Sequence, residues 1–181
     1  MTNIRLFHPT KLRHWRQIYR LYRRAFPRSE RKPFSIIRRM YREGRSVVWY
    51  ALTDTGRFAG MATTIEGDSI TLLDYFAIPK KLRGQGVGTV FLKQLLALNA
   101  DRGLFVEIEA TDWEDPTGEK RRRKQFYLRC GLEEMHVTAF LFGVRMELLG
   151  RKCRLDFDGY RAFYHDHYSP WAAEHILPAE N

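Results

Sequence analysis

Tyr75-Phe76-Ala77-Ile78-Pro79-Lys80-Lys81-Leu82-Arg83-Gly84-Gln85-Gly86-Val87-Gly88 is the stretch on which the reading of the chain turns. It closes the apolar run Ile70 to Ile78, which has the composition of a strand halted by Pro79. It also opens Gly86 to Ala100, where Val87, Val90, Phe91, Gln94, Leu95 and Leu98 fall on one helical face. A glycine turn between strand and helix gathers free backbone N–H groups at the positive end of a helix dipole. That is an anion site which glycine lets phosphate approach closely. Lys80, Lys81 and Arg83 add charge suited to a pyrophosphate rather than a single carboxylate. Two other phosphate loops do not fit. A P-loop ends in Gly-Lys-Ser/Thr, but Gly88 is followed by Thr89-Val90, and the dinucleotide pattern begun at Gly84 needs Gly or Ala where Thr89 stands.

Working outward toward the N-terminus, Arg57 to Ile65 and Ser46 to Thr53 are β-rich runs around Asp54-Thr55-Gly56, the chemistry of an antiparallel hairpin. Before them, Ile4 to Phe7 reads as a short strand. Thr10 is expected to cap a helix through Trp15, Ile18, Tyr19, Tyr22 and Phe26, ended by Pro27. A second helix starts near Pro33 and stops at Gly44. Toward the C-terminus, Leu104 to Ala110 is a strand, Gly118 to Cys130 a helix stopped at Gly131, and Val137–Phe142 and Val144–Leu149 a hairpin joined at Gly143. From Asp156 the rings of Phe157, Tyr160, Tyr164 and Tyr168 recur at helical spacing, until Ser169-Pro170 terminates the run.

At 181 residues, with 44% hydrophobic residues and no repeat or linker, the chain is expected to form one domain over 1–181. No signal core or membrane-length apolar run is present, so a cytoplasmic protein without membrane association is expected. Cys130 and Cys153 have no zinc-like spacing, and His165 and His167 diverge on a helix, so no metal is assigned. The formal charge of +10 attracts polyanions, among which charge alone does not choose; a solvated arginine-rich surface is preferred to nucleic acid.

The quoted stretch and the element order resemble the GCN5-related N-acetyltransferases (GNAT family), whose signature Arg/Gln-x-x-Gly-x-Gly/Ala is matched by Arg83, Gly86 and Gly88. Phe126-Tyr127-Leu128-Arg129-Cys130-Gly131-Leu132 is similar to the family's Phe-Tyr-x-x-x-Gly-Phe segment, with Leu132 for the usual Phe. The asparagine often found before that pair is absent, its stretch being Glu119 to Arg123. The run Lys120 to Lys124 is read as a solvated face rather than a contact to CoA or RNA. The resemblance implies an α/β (α+β) fold with a mixed central sheet of six to seven strands. The implied order is β-α-α-β-β-β-α-β-α-β-β plus a C-terminal helix.

It also implies an acetyl-CoA-dependent N-acetyltransferase acting on an amine. Cofactor binding falls to Phe76, Ala77, Ile78 and the loop Arg83, Gly84, Gln85, Gly86, Val87 and Gly88. Tyr127 matches the position that protonates the departing thiolate. Glu109, and after it Glu107, are candidates for the base that takes the amine's proton; Asp74 and Glu30 could bind or deprotonate the acceptor. With Asp112 and Glu114 these acids contrast with a basic whole, which points to a cationic acceptor. A non-catalytic CoA-binding module and an RNA- or ribosome-associated basic protein are the alternatives, and the state is a monomer or homodimer.

Overall fold

The structure is a computed structural model that describes residues 3–111 and 115–179, the Ser29 side chain excepted. Two compact units are distinguished, Met1–Glu66 with Leu73–Leu98, and Gly67–Leu72 with Asn99–Asn181.

In the first unit, β1 (Ile4–Phe7), β2 (Val47–Thr53) and β3 (Phe58–Glu66) are antiparallel, with Ile4 opposite Thr53 and Val47 opposite Thr64. The hairpin closes where Gly56, at φ 75°, returns its N–H to the Thr53 carbonyl at 2.9 Å. Helix α1 (Leu12–Ala25) buries Ile18, Leu21 and Tyr22, and α2 (Phe34–Arg42) buries Ile37 and Met40. Of these, Ile18, Leu21, Tyr22 and Ile37 meet Val48, Tyr50 and Met61 of the strands in one core. The expected face of α1 holds at Ile18 and Tyr22, but Tyr19 is exposed and Leu21, not among the expected positions, is buried. Thr10 is not the cap of α1: Lys11 holds that position in extended backbone. The His14 ring nitrogen, not a threonine hydroxyl, faces the Thr10 and Lys11 amides. Helix α2 ends at Gly44, φ 70°, with Arg45 N–H on the Met40 carbonyl and Gly44 N–H on that of Tyr41, the paired bonds of a Schellman motif. The end of β4 (Ile70–Ala77) and helix α3 (Val87–Leu98) complete this unit.

In the second unit, the start of β4 runs parallel to β5 (Gly103–Glu109), Ile70 beside Gly103 and Leu72 beside Phe105. Strand β5 pairs antiparallel with β7 (Val144–Arg151), and β7 with β6 (Glu133–Leu141). The turn between β6 and β7 uses Phe142 and Gly143 at φ 48° and 80°, the positive pair that a two-residue hairpin needs. Helix α4 (Glu119–Arg129) ends in a second Schellman motif, Gly131 at φ 93° donating to Leu128 and Leu132 donating to Tyr127. Helix α5 (Phe157–His167) is capped by the Asp156 carboxylate on the Gly159 amide at 2.8 Å and buries Tyr160, Phe163 and Tyr164.

With β4 common to both units, the hydrogen-bonded strand order is β1-β2-β3-β4-β5-β7-β6-β8. The α/β class and the expected element order hold, with eight strands in place of six to seven. The additional one, β8 (Ile176–Pro178), pairs with Ala139–Leu141 and is too short to show a period of two. Ser169-Pro170 does not simply terminate the chain's last helix. Its hydroxyl accepts the Ala172 amide at 3.1 Å and Pro170 takes the first position of a short α6 (Pro170–Glu174).

Gly131→Ala isolates a backbone cost, because an added Cβ would meet nothing nearer than Arg151 at 3.6 Å. Urea unfolding is expected to show a loss of about 1–2 kcal/mol, the penalty of a left-handed non-glycine residue.

Candidate functional site

The first unit holds the glycine turn. After β4, Pro79 to Arg83 forms a 3-10 turn, and Arg83 Nε donates to the Ile78 carbonyl at 3.2 Å, which ties the signature arginine to the strand end. Gln85 Nε2 donates to the Lys81 carbonyl at 2.8 Å. Gly84 and Gly86 sit at φ 73° and 78°, each with open space where a Cβ would stand. Val90 N–H returns to the Gly86 carbonyl at 3.0 Å, and a helix leaves the amides of its first turn without partners in its own ladder. The first turn of α3 carries no acid, while Val87 is buried and anchors it. Positive helix dipole, open glycines and absent carboxylates together favour an anion there.

The start of α4 is built the other way. Asp115 accepts the Lys120 and Arg121 amides at 3.3 and 3.0 Å, so this helix already carries its anion. The Arg121 N–H, against some desolvation, and then the Lys120 N–H hold the Asp115 carboxyl below its ordinary range. The basic run that follows is only in part a solvated face. Lys120 and Arg123 meet Glu109 at 3.2 and 3.6 Å, and Lys124 meets Glu147 at 2.6 Å and Glu134 at 3.0 Å.

Strand β4 orders the predicted residues of the first unit. The Tyr75 ring packs edge-on against Tyr22 and Phe26, and the Phe76 ring against Phe91 of α3. Tyr75 Oη donates to the Glu30 carbonyl at 2.8 Å and accepts the Lys32 amide at 3.1 Å; Tyr22 Oη donates to the Lys32 carbonyl at 2.9 Å. Asp74, with a side chain 8% exposed, pairs with Lys32 Nζ at 2.7 Å. The turn between α1 and α2 is therefore fastened to β4, and Glu30 and Asp74 are brought to one cluster. Lys32 and Tyr75, which do the fastening, were not singled out from sequence. A Cβ on Gly60 of β3 would stand 2.8 Å from the Ala77 carbonyl oxygen, so only glycine lets this strand end lie where it does.

In the second unit, Tyr127 is buried in α4 against Phe126, and burial pushes its phenol up to about 12. Glu107 accepts a hydrogen bond on each carboxylate oxygen, from Tyr160 Oη at 2.8 Å and Tyr164 Oη at 3.0 Å. The i, i+4 tyrosines were legible as a packing face of α5, but not as donors. Asp112 and Glu114 lie outside the described residues. Among the described residues no group of three or more His, Cys, Asp or Glu could hold a metal, and no helix is long and apolar enough to cross a membrane.

With this geometry the comparisons agree on one class. The model of the Acetyltransferase (GNAT) family matches residues 15–132, and the chain belongs to that family of acetyl-CoA-dependent N-acetyltransferases. A chain from Bacteroides thetaiotaomicron described as a GNAT-family acetyltransferase shares the fold at TM-score 0.74 and 20% identity, over 94% of this chain and 98% of that one. Spermidine N-acetyltransferase from Vibrio cholerae, in complex with CoA and spermine, superposes at TM-score 0.65 and 11% identity, over 82% and 94%. An acetyltransferase from Bacillus subtilis in complex with CoA gives 0.61 and 13%, over 84% and 99%. No curated protein sequence is significantly similar.

Two measurements test the clusters. Tyr75→Phe removes a donor and an acceptor from the partly buried 30–32 turn and is expected to cost about 1–3 kcal/mol in urea unfolding. Burial raises Tyr22 and Tyr127 from 10.0 to about 12, so the native state holds these protons longer than the unfolded chain. Their stabilisation is complete below about pH 10 and is lost as pH rises toward about 12. Ultraviolet titration should show phenol ionisation coinciding with unfolding in that window, and Tyr127→Phe should move it upward.

Proposed function

We propose that the chain, acting over 1–181 as a single acyltransferase domain, transfers the acetyl group of acetyl-CoA to a primary amine of a small molecule or peptide. The amine attacks directly in a ternary complex. The observation that carries this reading is the start of α3, where glycines at positive φ and an acid-free first turn form a ready anion site. In this reading the amides from Arg83 through Gly88 bind the CoA diphosphate. Phe76, Ala77 and Ile78 run beside the pantetheine arm and the thioester, and one of their N–H groups takes up the oxyanion charge.

The amine nitrogen forms its bond to the thioester carbonyl carbon, the C–S bond breaks, and coenzyme A leaves as thiolate. The ammonium's proton goes to a carboxylate and the thiolate needs a proton in return. Tyr127 is assigned that second transfer, as a phenol is protonated at neutral pH and can hand its proton to a thiolate within hydrogen-bond reach. Glu109 is preferred to Glu107 as proton acceptor. Its partners Lys120 and Arg123 are long side chains that can yield, whereas Glu107 is engaged by two hydroxyls of a buried helix face. Asp74 and Glu30 are assigned to the acceptor side. A cationic acceptor would compete with Lys32 for Asp74, and the spermine of the Vibrio cholerae complex puts polyamines first in an acceptor panel.

Calorimetry with CoA and a thiol-release assay across amines test the proposal. Gly86→Ala is expected to weaken CoA about tenfold, as a left-handed alanine costs about 1–2 kcal/mol. Tyr127→Phe is expected to lower kcat about a hundredfold, the usual scale of a positioned acid, with CoA affinity retained. Absence of saturable CoA binding by the wild type overturns the diphosphate assignment, and an unchanged kcat removes Tyr127 from the chemistry.

A further inference from the structure

The excess positive charge of this chain is confined to one segment. Residues 11–45 carry thirteen Lys or Arg, eleven of them Arg, against only Glu30 and Glu43. Their excess of eleven slightly exceeds the +10 of the whole chain, so all the rest is close to neutral. A preference for a merely solvated surface, founded on total charge, does not anticipate such segregation.

The helices turn this segment into a face. On α1, Arg13, Arg16, Arg20 and Arg23 follow one another at three- and four-residue intervals, Arg24 stands four after Arg20, and all five are exposed, opposite the buried Ile18, Leu21 and Tyr22. Helix α2 adds exposed Arg38, Arg39 and Arg42. Helix α1 contains no acid, and among the described residues no ion pair involves its five arginines. Like charges at i, i+4 cost a helix about 0.2–0.5 kcal/mol per pair, so the stripe is kept against a local penalty. It runs about 16 Å from Arg13 to Arg24 at 1.5 Å per residue, which is the axial length of roughly five phosphates of one duplex strand.

We propose that this α1–α2 face is a docking surface for a nucleic-acid phosphodiester backbone. Guanidinium forks match phosphate oxygens in pairs, which the weight of arginine over lysine favours. Tyr19 stands 40% exposed within the stripe with Arg23 5.7 Å from its ring, a surface on which a base can stack. Arg38 is likewise held over Trp15 at 5.4 Å, which limits the side-chain entropy lost when it grips phosphate. Insertion into a lipid surface is disfavoured because the apolar side of α1 is spent on the core. The surface stands independently of acetyl transfer.

Fluorescence anisotropy with labelled RNA and DNA, duplex and single-stranded, measured against salt, tests it. For duplex, log affinity against log salt should fall with a slope of about −4, near −0.9 per phosphate contacted. The variant Arg16→Gln/Arg20→Gln/Arg23→Gln/Arg24→Gln keeps helix-forming residues at exposed positions. It should flatten that slope by about 3 and weaken binding at least about tenfold, with a thermal midpoint no lower than that of wild type, since the like-charge pairs are relieved. A control losing equal charge elsewhere, Arg57→Gln/Lys93→Gln/Arg129→Gln/Arg154→Gln, should bind within about twofold of wild type. Equal losses in both variants would assign the binding to net charge and overturn the proposal. So would wild type that binds no nucleic acid, that prefers anionic vesicles to it, or that polyglutamate displaces as readily as RNA does.

Discussion

Successive residues of a β-strand point to opposite sides, and the end of β4 uses that rule to hold two things at once. Tyr75 goes to the helices that precede the sheet, where its hydroxyl spans the Glu30 carbonyl and the Lys32 amide. Phe76 goes to the helix that follows, against Phe91. The last turn of the strand is pressed so closely on β3 that Gly60 has no room for a methyl group beside the Ala77 carbonyl. The backbone proposed to accompany the thioester is thus over-determined from three directions, and such preorganisation is what lets main-chain dipoles stabilise developing charge without rearranging.

Electrostatics separate two helix starts that share a preceding glycine and nearby basic residues, Lys80, Lys81 and Arg83 ahead of α3 and Lys120 to Lys124 within α4. Asp115 fills the amide cluster of α4 and Glu119 stands in its first turn, so that end is neutralised from within. Helix α3 has no acid in its first turn and two open glycines in front of it. The signature Arg83, Gly86 and Gly88 falls on the second arrangement, whose helix-start amides have no acidic side chain beside them and so favour an anion. Elsewhere the carboxylates have been claimed. Asp74 holds Lys32, Glu109 holds Lys120 and Arg123, and Glu107 receives two phenols. Any acid–base role begins from a formed contact rather than from a bare group.

Charge is distributed with the same economy. The helical hairpin α1–α2 concentrates arginine on its outer side while its inner side carries the aromatic and aliphatic core of the first unit. One pair of helices therefore supports β4 through Tyr22 and presents a continuous cationic stripe to solvent, two roles made compatible by the 3.6-residue period.

Local signals were readable from the residues alone. Gly44 and Gly131 stopped their helices as left-handed caps, Gly56 and Gly143 turned their hairpins, and the periodicities of Ile18-Tyr22 and Val87-Phe91-Leu95 chose the buried faces. The order of elements and the glycine turn followed because each is decided within a few residues by backbone sterics and apolar spacing. What exceeded that range was not readable. Thr10 yields its place to Lys11, three residues at 176–178 become a strand only because Ala139–Leu141 offers an edge, and Ser169 starts a helix as well as ending one. Asp74 finds Lys32 across 42 positions and Glu107 finds its tyrosines across 53 and 57. The sequence alone therefore determined the fold class, the family and the glycine turn, all written in neighbouring residues. Tertiary structure alone decided which carboxylates are paired and with which partners, because Coulombic and hydrogen-bond energies depend on distance in space, which separation along the chain does not specify.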